Sequence, residues 1–378
     1  MVIVNCQLSI FNSIMLIQDI IAHLEQVAPL QYQESYDNAG LIVGDKSTEV
    51  SSALITLDVT EEVLDEAIEN GIKLIISHHP LIFKAIKRIT GSNEVERCLI
   101  KAIQNGIAIY AAHTNLDSIS GGVNSMICSK LGLINCRILA PVRNQLIKLV
   151  TYVPEDHLEP VRSAIFSAGA GEIGNYDCCS FSGSGEGTFR GNEASNPFVG
   201  LKGEIHKEKE YRLEVILPRH LTARIVKALT AAHPYEEVAY DLVPLENDLP
   251  SIGAGMVGEL AVPGDESVFL KEVRQVFGCQ MIRHTSLLNR KISKVAVCGG
   301  SGSFLVSKAI AEGADLFISA DFKYHDFFEA DRKIVLADIG HYESEQFTKE
   351  VLKEIVLKKF PTFALRLSKV KTNPVSYL

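Results

Sequence analysis

Residues 73–83 read KLIISHHPLIF. The apolar run up to Ser77 is too short for a helix, follows a helix-ending Gly71 and meets Pro80, so it reads as a buried strand. Two adjacent imidazoles leave that strand at His78 and His79. The doublet alone admits three readings: surface polarity, a pair of core residues, or ligands for one or two metal ions. The sequence around it has to choose.

Upstream, SALITLD (52–58) has the pattern of a buried strand, and TEEVLDEAIEN (60–70) that of a helix with an acidic start, closed by Gly71. Downstream, EVERCLIKAIQN (94–105) forms a second helix ending at Gly106, and IAIYAAH (107–113) a further strand. Alternation of this kind predicts an α/β layer in which helices cover the faces of a sheet. The last third alternates in the same way, through KVAVCGG, SFLVSKAIAEGA and DLFISAD, then KIVLADIGH leading into a helix over 342–358.

The middle of the chain follows another pattern. KLVTYVPEDHLEPVRSAIFSAG reads as strand, proline, helix, and YRLEVILPRHLTARIVKALTAAH reads the same way. Pro154 matches Pro218, while Val161 and Ile165 align with Ile225 and Leu229. Each half closes with another strand pattern, near 176–181 and 237–243. The echo predicts a βαββαβ, ferredoxin-like α+β unit. SGSGEGTFRGNEASNPFVG (182–200) is rich in Gly, Ser and Asn and reads as a long loop or hairpin end. The expected organisation is therefore one α/β domain, 1–143 plus 248–378, split by an inserted domain at 144–247.

The totals set limits on partners. At 378 residues, two domains are the natural expectation. An apolar content of 47%, a charged content of 22% and a slightly positive mean hydropathy describe an ordinary soluble, well-packed chain with no membrane span. The net charge of −9 argues against wrapping nucleic acid, which requires a basic face. The eight cysteines show no paired metal or disulfide spacing and fit a reducing cytoplasm. Residues 1–14 lack the basic start of a secretory signal, and Met15 reads as the natural start or what precedes it as a loose extension.

Chemistry concentrates at strand ends, where open α/β sheets place their ligands. One end delivers His78 and His79, a second His113 and Asp117, a third His341 and Glu345. On a helix starting at Gly340, His341 and Glu345 stand at i and i+4 and point at one locus. Histidines and carboxylates arriving together in this way match the ligand set of a divalent transition-metal site. They exceed the needs of one tetrahedral ion, so two ions sharing a bridging carboxylate fit the inventory. The bland alternatives, a capped histidine or an exposed helical pair, account for each cluster singly but not for all three.

SHHPLIF, AAHTNLD and GHYESE, together with YDNAGLIVG at 36–44 and LITLDVT at 54–60, resemble the NGG-one-interacting-factor-three family. Members of that family are labelled GTP cyclohydrolase 1 type 2 homologues. The matching blocks cover nearly all of 15–140 and 250–378 in the family's order. The resemblance implies a dinuclear centre with ligands His78, His79, Asp117, His341 and Glu345, holding two divalent ions of zinc, iron, manganese or cobalt. It also implies a toroidal homohexamer with sites facing an internal cavity, and its longer bacterial members carry a PII-like or CutA-like insert. In ISADFKYHDFFEA the chain departs from the pattern, with Asp321 where a Gly-Glu pair is expected.

His113 and His325 are the candidates for proton transfer, as ring partners or general acid/base. Gly299, Gly300 and Gly302 read as a tight packing turn rather than a phosphate loop, since they lack the GK[ST] and GxGxxG spacings. Asp37 and Asn38 either cap a turn or approach the cavity. Two functions from different classes follow: a metal-dependent hydrolase acting on a nucleotide or another phosphoester, and a non-enzymatic metal-binding or regulatory adaptor with the insert as sensor or lid.

Overall fold

The computed structural model describes residues 14–378; the expectations for the first thirteen residues lie outside them. The described residues divide into two compact units, one running up to Pro141 and again over Pro250–Leu378, the other over Val142–Leu249.

The first unit is a mixed α/β structure with two main sheets. One has strands in the order Ala364–Leu367, Ser52–Thr56, Leu74–Ser77, Ala108–Ala111 and Gly40–Val43, the first four parallel and the last antiparallel. The other runs Arg283–His284, Val335–Asp338, Leu316–Ala320, Lys291–Ser301, Leu249–Asp265 and Ile134–Val142, with a parallel core of three. The first carries an antiparallel strand on one edge and the second on both sides of its parallel core, so each is mixed.

Local chemistry accounts for the helices that cover the first sheet. The Thr60 hydroxyl caps Glu61–Glu69, and the Asn93 side chain caps Glu94–Gln104 by accepting from the Glu96 amide. Gly71 and Gly106 follow these helices with positive φ, where a side chain is strained. Val63, Leu64, Cys98 and Leu99 pack on Leu54, Ile75 and Ile109 with almost no exposure, the contact that fixes the strand end carrying His78.

Three elements differ from expectation. The helix expected over 342–358 is two pieces, His341–Glu345 and Thr348–Lys359, broken at Gln346 and Phe347, where the Gln346 amide donates to the Phe277 and Glu343 carbonyls. The amphipathic pattern MLIQDIIAHLEQVAPL predicts a helix from Met15 closed by Pro29, but the helix begins at Ile17, because Met15 pairs with Val50 and Leu16 with Glu49. In the second unit, the first part of the stretch read as a long loop or hairpin end is a strand, Ser180–Phe189, antiparallel to His206–Pro218, and only 190–200 is irregular. As an edge strand it pairs on one side only, which spares its glycines the packing that sequence propensities measure.

The second unit runs strand Leu146–Pro154, helix Leu158–Ser167, strands Ser180–Phe189 and His206–Pro218, helix Thr222–Ala232 and strand Tyr240–Leu245. Its sheet is antiparallel, with the last strand beside the first and the third between the first and second. Val161, Ile165, Ile225 and Leu229 close its core over Leu149, Val153, Leu213 and Val215.

Candidate metal centre

In the first unit, strand ends from both sheets meet around one buried group of imidazoles and carboxylates. His78 and His79 follow Leu74–Ser77, His113 and Asp117 follow Ala108–Ala111, and His341 and Glu345 follow Val335–Asp338. All six enter sets whose donor atoms lie within 4.8 Å of one another.

Each ring is held from behind by its Nδ1. His78 Nδ1 donates to the Ala112 carbonyl at 2.8 Å, and a carbonyl only accepts, so in the neutral ring the Nε2 lone pair is free. His79 Nδ1 donates to Asp58 at 2.7 Å, His113 Nδ1 to Asp37 at 2.8 Å and His341 Nδ1 to Asp321 at 2.7 Å. The anchors are themselves anchored: Thr372 Oγ1 donates to Asp58, Ser301 Oγ to Asp321, and Thr114 to Asp37 through both amide and hydroxyl. A carboxylate or carbonyl behind a ring that presents Nε2 is the arrangement that orients histidines on metals.

Glu345, 3% exposed, sits between two donor groups. Its Oε2 lies 3.0 Å from His79 Nε2 and 3.1 Å from His341 Nε2, and those two nitrogens are 3.4 Å apart. Its Oε1 lies 3.8 Å from His78 Nε2, which is 3.6 Å from Asp117 Oδ1. A tetrahedral ion with ligands at about 2.05 Å has donors about 3.4 Å apart, and these separations bracket that value. His78 Nε2 and Asp117 Oδ1 are buried without a hydrogen-bond partner, a costly condition that a cation relieves. The donor set therefore fits a divalent metal.

Proton affinities carry the same message. Burial alone would lower the His79 ring, but hydrogen bonds to Asp58 and Glu345 outweigh it and raise the ring to about 9. In the same way Asp321 and Glu345 raise His341 to about 11 against its burial. Burial and the nearby Glu345 charge push Asp117 up to about 8. Glu345, which burial would raise, is held well below the usual carboxylate range by the His341, His78 and His79 rings. Burial would likewise raise Asp37, yet its bonds from His113 and Thr114 keep it at about 2. Protons thus occupy positions that a cation would take.

The glycines of VAVCGGSGSFL serve this cluster. A Cβ on Gly300, whose φ is +59°, would stand 2.4 Å from Glu345 Oε1. The Gly299 and Gly300 amides are taken by Asn124 Oδ1 and Ser344 Oγ, which leaves neither for a phosphate. The tight turn is what lets Glu345 come close.

The cluster opens into a cavity of about 710 Å³. Seven carboxyl groups line it (Glu34, Asp58, Asp117, Asp321, Asp338, Glu343, Glu345) against one guanidinium, Arg283, which already pairs with Asp338. Phe83 reaches the cavity edge-on to His113, with ring centres 5.7 Å apart. His325 is not brought to this place: it is exposed beside Tyr324 and Phe328 and does not line the cavity. Asn38 bonds the Ile82 carbonyl, holding a turn, whereas Asp37 backs His113. Asp58 is absent from the candidates that the sequence supplies, although its place just past a strand end in LITLDVT is a usable signal.

The sequence pattern of DUF34/NIF3 (NGG1p interacting factor 3) matches residues 15–374. A Halalkalibacterium halodurans protein described as a GTP cyclohydrolase 1 type 2 homolog is 37% identical over 366 residues, 96% of this chain and 98% of that one. A Bacillus subtilis protein of the same description is 36% identical over 374 residues, with 96% and 98% covered. Among solved structures, a Bacillus cereus protein related to NIF3 superposes with a TM-score of 0.83 at 37% identity, covering 96% of this chain and 99% of that one. The chain belongs to the DUF34/NIF3 family.

Proposed function

We propose that the chain is a dinuclear metal-dependent hydrolase acting on a nucleotide or a related heterocyclic substrate. The observation that carries this reading is Glu345, whose two oxygens face separate donor groups. In it, His78, Asp117 and Glu345 would hold one ion, and His79, His341 and Glu345 the other. Divalent ions of zinc, iron, manganese or cobalt would supply Lewis acidity and lower the pKa of a bound water.

The chain's own groups have distinct tasks. Asp58 and Asp321 orient the His79 and His341 rings. His113, with Nδ1 committed to Asp37, takes and returns a proton at Nε2 and is the general acid/base of this reading. Phe83 offers an apolar ring face or edge for a planar base. The excess of carboxyl groups makes phosphate binding depend on the bound ions. The description of the relatives points to opening of the GTP imidazole ring with release of formate.

The reading extends to organisation. The strand order of the second unit supports a ferredoxin-like insert over 144–247, and we take the assembly to be a toroidal homohexamer. Light scattering tests the assembly, with six times the 41.4 kDa chain mass expected. The function is tested by loading the full chain with each metal in turn and following formate from GTP and cleavage of a generic phosphodiester. His78→Ala and Glu345→Ala should both abolish turnover. Protein that retains metal yet turns over nothing in a broad nucleotide screen removes the enzyme and leaves the metal-binding regulator.

A further inference from the structure

The second unit holds a separate cavity of about 750 Å³ on the sheet face turned away from its two helices. Its floor follows from strand alternation. Gly183, Gly185 and Gly187 stand opposite Arg212, Glu210 and Glu208, so the edge strand withdraws its side chains where the neighbouring strand projects its own. The Glu210 carboxyl group lies in the space so cleared: a Cβ on Gly187 would come 2.0 Å from its Oε2.

Glu210 is only 9% exposed, and no Lys, Arg or His among the described residues pairs with it. Its one side-chain hydrogen bond comes from the Tyr235 hydroxyl at 2.8 Å. Burial and the Glu210 charge push the Tyr235 phenol up, which keeps it a donor. Of the other acids around the cavity, Glu186 pairs with Lys207, Glu214 with Lys148 and Arg212, and Glu236 accepts from the Asn196 amide, while Glu237 is exposed. Arg190 stands exposed at the rim. A carboxyl group buried without a counter-charge is expensive unless a cation joins it.

Phe189, Phe198 and Tyr235 are among the aromatic residues that line the same cavity. Phe189 and Phe198 lie 6.1 and 6.3 Å from Tyr235, at interplanar angles of 56° and 48°. Aromatic rings and a carboxyl group lining one cavity combine π surface with negative charge, the chemistry that attracts an ammonium group. Phosphate would meet Glu210 and the ring faces instead.

We propose that the helix-free sheet face of the inserted unit is a binding site for a small organic ammonium ion, held by Glu210 within the Phe189, Phe198 and Tyr235 rings. All of its lining residues belong to the second unit.

The test uses the full chain and two probes of one shape, choline and its uncharged carbon analogue 3,3-dimethylbutan-1-ol, titrated calorimetrically against a sodium chloride control. Choline should bind saturably at one site per chain, and the neutral analogue about tenfold more weakly or worse. Glu210→Gln keeps the shape and an acceptor for Tyr235, and should erase the preference for the charged probe. Phe198→Ala, at a half-exposed position that folding tolerates, should weaken choline by a similar factor. Absence of saturable choline binding, equal affinity for both probes, or a preference surviving in Glu210→Gln overturns the proposal, as does inorganic phosphate competing for the same site.

Discussion

His79 shows how one residue is made into a directed donor. Its Nδ1 proton is committed to Asp58, so whatever approaches Nε2 meets a lone pair or a displaceable proton. Asp58→Asn keeps the shape but weakens that control, and metal affinity should fall about 10- to 100-fold while saturating metal still binds. Metal analysis across a chelator series checks this, and Asp321→Asn should behave alike for His341. Glu345→Gln, by contrast, should lose metal from both donor groups. The pH dependence of the metal-free protein has a fixed sign. His79 and His341 are raised from 6.5 to about 9 and 11, so the stability they confer is complete below about pH 6.5 and drains as pH rises through those values. Asp117, raised to about 8, adds a loss of the same sign between about pH 4 and 8. The melting temperature of chelator-treated protein should therefore fall from pH 6 to pH 9. Added metal should bind more tightly over the same interval, because fewer protons must leave. A melting temperature that rises with pH contradicts the assignment.

At the scale of elements, the turn through Gly299 and Gly300 sets how near Glu345 can come. Gly300→Ala combines a positive φ, worth about 1–2 kcal/mol of strain, with a collision at Glu345 Oε1. Gly313→Ala is its natural control, since φ there is +69° and nothing stands within 4 Å. Both variants should melt lower, but only Gly300→Ala should also lose metal, as thermal scans and metal analysis will show. This contrast separates what the sequence disclosed from what it did not. Strand ends carrying His78, His79, His113, Asp117, His341 and Glu345 were legible, because apolar runs stop abruptly at polar residues and His341 and Glu345 stand one helical turn apart. The supports behind the rings were less so. Asp37 and Asp321 stood out without a role, Asp58 is an isolated acid in sequence, and the carbonyl of Ala112 has no signature in its side chain. Ser180–Phe189 escaped for a related reason: Gly187 makes room for Glu210, and room leaves no trace in β propensity.

At the scale of the molecule, the second unit is inserted between two neighbouring strands of the first, Ile134–Val142 and Leu249–Asp265. A Cβ on Gly253 would come 2.1 Å from the Ala140 carbonyl, so the two strands are in close contact near the junction. Replacing 143–248 by a short Gly-Ser turn should therefore leave a folded first unit with its metal content intact. Circular dichroism and metal analysis of that shortened chain check this, and loss of metal would assign the insert a part in the centre. The same interruption orders events on the ribosome. His78, His79 and Asp117 are synthesised before the insert; His341, Glu345 and Thr372, which steadies Asp58, come after it. A nascent chain thus carries only part of the candidate donor set throughout the synthesis of an entire second unit. On the proposed reading metal would fill the centre late, because a stalled or clipped chain lacks His341 and Glu345 and so has no complete donor set.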